Sequence, residues 1–173
     1  GIDFTSLDRL SLVACGTAFY ACMTAKYWFE QLAGLPVDVD IASEFRYREP
    51  PIPPRTAALF VSQSGETADT LAALRYCEGK AAKILSVVNV PESSIARESD
   101  LALPIMAGTE IGVASTKAFT CQLTVLLLLA LEAAHQRGHI TEDALHDHLS
   151  ALRALPVALN AALDLTCCFS GAA

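Results

Sequence analysis

The sequence predicts an α/β fold: a parallel sheet with helices packed on both faces. Three observations carry this. Continuous apolar runs of strand length recur along the chain, each stops at a small or polar turn, and most of those turns open a stretch with apolar groups at helical spacing. A strand buried on both faces has no polar side, which is why runs such as Leu10–Cys15 and Ala57–Ser62 do not alternate.

The elements follow in order. "LSLVAC" (Leu10 to Cys15) is a strand that stops at Gly16, and "TAFYACMTAKYWFEQLAG" is a helix with Gly34 as its C-terminal signal. "LPVDVDIAS" (Leu35 to Ser43) alternates apolar and acidic residues, as an edge or half-exposed strand does. "PPIPPRT" (Pro50 to Thr56) is a connector, because proline lacks the amide hydrogen that a helix or ladder needs. "AALFVS" is a second buried strand, "ETADTLAALRYCEGK" a helix and "KILSVVNV" a third buried strand. "PESSIARESD" is a short helix at most, and "LALPIM" gives the last strand. A long helix is expected from about Ser115 to Gln136, then a break at "RGH", then "TEDALHDHLSALRALPVALNAAL", where Pro156 is expected to kink or restart the helix. No internal repeat or low-complexity segment interrupts this order.

Composition sets the bounds. A chain of 173 residues that is 53% hydrophobic, with mean hydropathy +0.39, can bury the core of one compact domain. A formal charge of −7 and a pI near 5.0 argue against a nucleic-acid surface, since phosphate backbones repel an acidic protein. Small anions remain possible ligands where local dipoles hold them. Cys15, Cys22, Cys77, Cys121, Cys167 and Cys168 form no CxxC pair, so reduced thiols in a cytoplasm are expected. No basic leader with an apolar stretch opens the chain. "CQLTVLLLLALEAA" is broken by Gln122, Thr124 and Glu132 and is too short to span a bilayer, so it reads as a buried helix and no membrane association is expected.

The stretch "LFVSQSGETADTLAAL" (Leu59 to Leu74) carries the chemistry. It puts Ser62, Gln63, Ser64 and Gly65 at the carboxyl end of a buried strand, with Thr67 in the first helical turn. Ligands of open parallel sheets sit at such places, where free amides and a dipole equivalent of roughly +0.5 charge attract anions. Hydroxyls add donors that rotate to suit phosphate oxygens. The alternative is that Ser64 merely caps its own helix, a contribution of roughly 1 kcal/mol. Glu66 also counts against an anion site unless its side chain points outward. Two further turns favour the pocket: "CGTA" (Cys15 to Ala18) offers Thr17, and "GTEIGVASTK" (Gly108 to Lys117) brings Ser115 and Thr116 to the start of another helix.

Competing motifs fail on spacing. No GK[ST] occurs, and a dinucleotide fingerprint needs three glycines where only Gly16 is present, although Asp38 lies at a suitable distance for a ribose contact. His146 and His148 point to different faces of a helix, and His135 and His139 straddle Gly138, so no metal site is expected. Cys15, just before a helix, reads as packing rather than as a nucleophile because no base stands beside it in sequence.

"ACGTA", "ASEFRYR", "SQSGETADTLAALR", "NVPESS", "RESD" and "AGTEIGVASTKAFTCQL" together resemble, in order and spacing, the first sugar isomerase (SIS) domain of the glucosamine-6-phosphate synthase family, the glutamine:fructose-6-phosphate amidotransferases. The resemblance spans roughly Leu10 to Ala134. It implies a five-stranded parallel sheet in a three-layer αβα sandwich of flavodoxin-like or Rossmann-like type, with the SIS domain at 1–140. Residues 141–173 are then a helical segment leading toward a second SIS domain. It further implies Ser62, Gln63, Ser64 and Thr67 as phosphate ligands, and Thr17, Val113 through its backbone and Ser115 as sugar-hydroxyl ligands, for fructose 6-phosphate or glucosamine 6-phosphate. Ala18 stands where the family commonly has serine.

The resemblance implies no cofactor, a homodimer, and partner modules in a longer chain, namely an amino-terminal glutaminase and a second SIS domain. Gly1 is no nucleophile, and the three pocket turns offer only hydroxyls, amides, Glu66 and Lys117. Binding without turnover is therefore expected. A stand-alone phosphosugar-sensing module and a dimerisation module are the alternatives. "ASEFRYR", with Glu44, Arg46 and Arg48, reads as an interdomain salt-bridge segment rather than a solvated turn.

Overall fold

The computed structural model describes residues 1–109 and 115–169. Five strands, β1 (Arg9–Ala14), β2 (Val37–Ile41), β3 (Thr56–Ser62), β4 (Lys83–Val88) and β5 (Leu101–Pro104), form one sheet in the order β2-β1-β3-β4-β5. All four pairings are parallel. The helices are α1 (Gly16–Ala33), α2 (Ala42–Arg48), α3 (Ala68–Cys77), α4 (Ser94–Glu98), α5 (Lys117–Gln136) and α6 (Glu142–Phe169).

Strand alternation sorts the core into two layers. Val13, Ala58, Phe60, Ile84 and Val88 point to one face, where they meet Phe45 of α2, Leu74 and Cys77 of α3 and Ile95 of α4. Leu12, Leu59, Val61, Leu85 and Val87 alternate with them to the other face and are equally buried, on the side where α1 and α5 pack together. The result is the expected three-layer αβα sandwich. At the sheet's edge β2 is buried only at Val37 and becomes exposed by Ile41, which agrees with its alternating apolar and acidic sequence.

Contacts divide the chain into a unit from Gly1 to His139, which holds the sheet and α1 to α5, and a unit from Ile140 to Ala173. The second unit is α6. Thr141 caps it, its Oγ1 accepting from Ala144 N at 3.2 Å, and Glu142 and Asp143 in the first turn suit the positive end of the helix dipole.

Four expectations are corrected. The edge strand ends at Ile41 rather than Ser43, because "ASEFRYR" is the helix α2: it buries Ala42 and Phe45, with Glu44 in its first turn and Arg46 and Arg48 in its last. Those arginines pair with Asp69 (2.8 Å) and Asp40, inside the same unit rather than between domains. Next, α3 begins at Ala68, so Glu66 and Thr67 belong to the preceding turn. Finally, the helix does not restart at Pro156: α6 is one helix through it, in a stretch rich in alanine and leucine, the strongest helix formers.

The helix α5 lies where it was expected, beginning two residues later at Lys117. Its 20 residues are apolar and long enough, by length and composition, to cross a membrane. Its apolar face is nonetheless used by the core: Leu126, Ala130, Leu131, Ala133 and Ala134 are buried in the first unit.

The break at "RGH" is a clamp. Arg137 donates through Nε to Ala33 O at 2.8 Å and through Nη1 to Phe4 O and Leu7 O, both at 3.0 Å. One guanidinium thus satisfies the C-terminal end of α1 and the amino-terminal segment together. Beside it, Gln136 Oε1 accepts from Phe4 N at 2.8 Å. Replacing Arg137 with alanine removes these hydrogen bonds, leaving Phe4 O only its 3.4 Å bond from Leu7 N, and the expected loss is about 2 kcal/mol, read as a lower urea midpoint.

Candidate functional site

The sheet changes direction between β1 and β3. From β1 the chain moves outward to β2 on one side, and from β3 it builds β4 and β5 on the other. Crossovers that diverge in this way leave a crevice beyond the carboxyl ends of the two strands. The pairing of Ala14 with Val61 sets the turn that follows β1 beside the turn that follows β3.

A cavity of about 310 Å³ opens there. Its walls are Cys15 to Ala18 after β1, Val61 to Ser64 with Thr67 after β3, and Ser115 with Gln122 at α5. The three hydroxyl-bearing turns picked out in the sequence therefore meet. Thr17, Ser62, Gln63, Ser64, Thr67 and Ser115 all line the cavity, while Val113 lies outside the described residues.

Among the described residues, no charged side chain lines the cavity. The field comes from backbone instead. Gly16 opens α1 at φ +59°, a left-handed conformation that glycine adopts freely, and Cys15 ahead of it makes no side-chain cap. Thr67 makes none for α3. Two helix amino termini thus present unsatisfied amides and the positive ends of their dipoles to one cavity.

The capping alternative for Ser64 fails on geometry. Its Oγ accepts from Glu66 N at 3.2 Å, before α3 begins, so the helix amides stay free. Ser62 Oγ accepts from Gly65 N at 3.0 Å and shares a 2.9 Å hydrogen bond with Thr67 Oγ1, which fixes the curve of the loop from inside.

Glu66 is turned away. Its Oε1 accepts from Ser94 N at 2.7 Å, and that backbone hydrogen bond, followed by the Ser94 side chain, holds its carboxyl below the ordinary glutamate value. Gly65 O accepts from Ile95 N at 3.0 Å, a second tie to the start of α4. Gly65 itself sits at φ +67°, and a Cβ there would lie 1.9 Å from Ser93 Oγ, so only glycine fits. Lys117, the other charged group near the pocket in sequence, donates to Thr109 O.

Two residues of the site were not recognised from sequence as parts of it. Asn89, just past β4, donates its backbone N–H to Gln63 O at 3.1 Å, accepts from Ala107 N at 3.0 Å and donates Nδ2 to Gly108 O at 2.7 Å. It therefore ties the β3 loop to the segment after β5. Gln122 is a lone amide on the buried face of α5, only 1% exposed. The signal for it was its interruption of the apolar run.

The thiols are free at Cys15, Cys22, Cys77 and Cys121. Burial pushes the Cys22 thiol up and the Cys77 thiol up to about 11, which makes both inert packing groups. Among the described residues, no three His, Cys, Asp or Glu side chains gather as a metal site would require.

The SIS domain family model matches residues 3–132. Glutamine–fructose-6-phosphate aminotransferase (isomerizing) of Brucella abortus biovar 1 (strain 9-941) is 60% identical over 165 residues, covering 95% of this chain and 27% of that protein. The chain thus spans about a quarter of the length of such relatives. Among solved structures, the C-terminal domain of glucosamine-fructose-6-phosphate aminotransferase from Francisella tularensis superposes with a TM-score of 0.90 at 42% identity, over 94% of this chain and 46% of that one. Glucosamine-6-phosphate deaminase from Thermotoga maritima superposes at 0.69 with 27% identity, over 80% of this chain and 43% of that one.

Two outcomes follow from this geometry. Gly65→Ala forces both a strained φ and a collision with Ser93, so thermal unfolding should shift down by about 1–3 kcal/mol in stability; Ser93→Gly in the same chain should recover part of it by removing the collision. Glu66 has its folded pKa depressed, so its contribution is fully present above the unfolded value near 4.5 and fades as pH falls through the lower folded value. The stability gap between wild type and Glu66→Gln, measured across pH, should therefore be constant near neutrality and close only in acid.

Proposed function

The chain belongs to the SIS domain family, and from that premise we propose that its cavity binds the phosphate and hydroxyl groups of fructose 6-phosphate or glucosamine 6-phosphate, as one module of a glutamine–fructose-6-phosphate aminotransferase. The observation that carries this reading is the convergence of two uncapped helix amino termini and several hydroxyls on one uncharged cavity. A phosphate dianion needs donors from several directions, and free amides with rotatable hydroxyls supply them without a cation.

In this reading Ser62, Gln63, Ser64 and Thr67 serve the phosphate. Thr17, Ser115 and the Val113 backbone serve sugar hydroxyls, with Ala18 leaving one hydroxyl contact unmade on the wall. Residues 1–140 form the binding module, and 141–173 lead toward a second SIS domain.

Moving a proton between adjacent sugar carbons requires an acid or base within hydrogen-bond reach of them, roughly 3 Å. Among the described residues the lining offers none, and Glu66 and Lys117 are both engaged elsewhere. The chain therefore holds substrate without turning it over, and acid-base groups come from the rest of the parent enzyme, which also brings a glutaminase and forms a homodimer. A reducing cytoplasm suits its free thiols.

Calorimetric titration tests the reading. Glucosamine 6-phosphate should bind saturably, unphosphorylated glucosamine should not, and Ser64→Ala should weaken the sugar phosphate by about tenfold, the worth of one hydrogen bond to a charged group. Equal binding of both sugars would remove the phosphate from the argument, and an unchanged Ser64→Ala variant would return that serine to a structural role.

A further inference from the structure

The buried face of α5 contains one amide. Gln122 lies in line with Ala118, Leu126, Leu129 and Ala130, and its Oε1 is buried without a hydrogen-bond partner. Ser115, just ahead of the same helix, has its Oγ in the same condition, and both residues stand on the wall of the cavity. The other buried hydroxyls without partners, on Thr56, Thr70, Ser86 and Ser93, do not line it. Unpaired buried polar atoms are rare because each forfeits its hydrogen bonds to water, so two on one cavity wall point to a partner that arrives with a ligand.

The chemistry of the partner follows from the atom. An amide oxygen only accepts, and an ionised phosphate has only acceptors, so the two gain nothing from each other. A sugar hydroxyl can donate. We propose that Gln122 is a specificity-determining residue of this site, its Oε1 accepting a hydrogen bond from a hydroxyl on the sugar and so favouring polyhydroxylated phosphates over bare phosphate. This rests on the reading of the cavity as a phosphosugar site. It assigns α5 the recognition of the sugar, and leaves the anion to the turns after β1 and β3.

Gln122→Met keeps the length of the side chain without its acceptor. Titrated with glucosamine 6-phosphate it should bind about tenfold more weakly, the loss of one hydrogen bond, while its affinity for inorganic phosphate stays that of wild type. Its thermal unfolding should come no earlier than wild type and can come later, since an unpaired amide has been removed; a structural amide would do the reverse. Gln122→Leu should give the same pattern. Unchanged sugar-phosphate affinity, a parallel loss for both ligands, or failure of both variants to fold overturns the assignment of Gln122. Absence of binding by wild type to either ligand overturns instead the phosphosugar reading beneath it.

Discussion

The parallel pairing of β1 with β3 is the constraint on which the site depends. Once these two strands lie side by side, with Leu12 against Leu59 and Ala14 against Val61, the turns after them have no choice but to be neighbours. The crossovers then diverge, α1 returning toward β2 and α3 toward β4, which leaves a space between the helix starts. A cavity with two positive helix ends is thus a result of topology. The side chains decide only what it accepts.

The loop after β3 reaches the cavity already shaped. Ser62 holds it from inside through Gly65 N and Thr67, while α4 holds it from outside through Gly65 O and the Glu66 carboxylate. Asn89 binds its carbonyl at Gln63 through its backbone N–H and, with its side chain, the segment after β5. A loop restrained on both sides loses little freedom when a ligand arrives, so more of each new hydrogen bond appears as affinity. The net charge of −7 does not prevent an anion from binding. Charges on a solvated surface are screened over about 8 Å at physiological salt, whereas the free amides of α1 and α3 act at contact distance.

Much of this was legible in the sequence because it rests on local rules. Buried strands without alternation, Gly16 and Gly34 at helix ends, and hydroxyls at three strand-to-helix turns each state a backbone preference that tertiary packing left alone. The misreadings have a common physical cause. The helix α2 was hidden because Ala42 and Ser43 prolong the pattern of the edge strand, and only Phe45, buried beneath α3, decides for helix. The continuity of α6 at Pro156 is a case where flanking propensity outweighs a breaker. Asn89 and Arg137 were illegible as parts of the site and clamp because their roles lie in partners distant in sequence. Arg137 reaches back to Phe4 and Leu7, and Asn89 joins two loops that no local motif links.

The absence of charged side chains among the described residues of the cavity wall is itself a functional constraint. A carboxylate beside a bound phosphate dianion would be repelled and its pKa driven up, and a lysine there would bind the anion strongly whatever the rest of the molecule carried. Neutral donors avoid both outcomes, and in the phosphosugar reading the remaining discrimination falls to weaker, directional contacts with the sugar. The acceptor on α5 is suited to that role because it is indifferent to phosphate. A proton-transfer group belonging to such a reaction must then act on the sugar carbons, away from the amides that hold the phosphate, and it can do so from another module without disturbing them. Neutral donors also let the loop after β3 stay fixed, as its ties to α4 and Asn89 require.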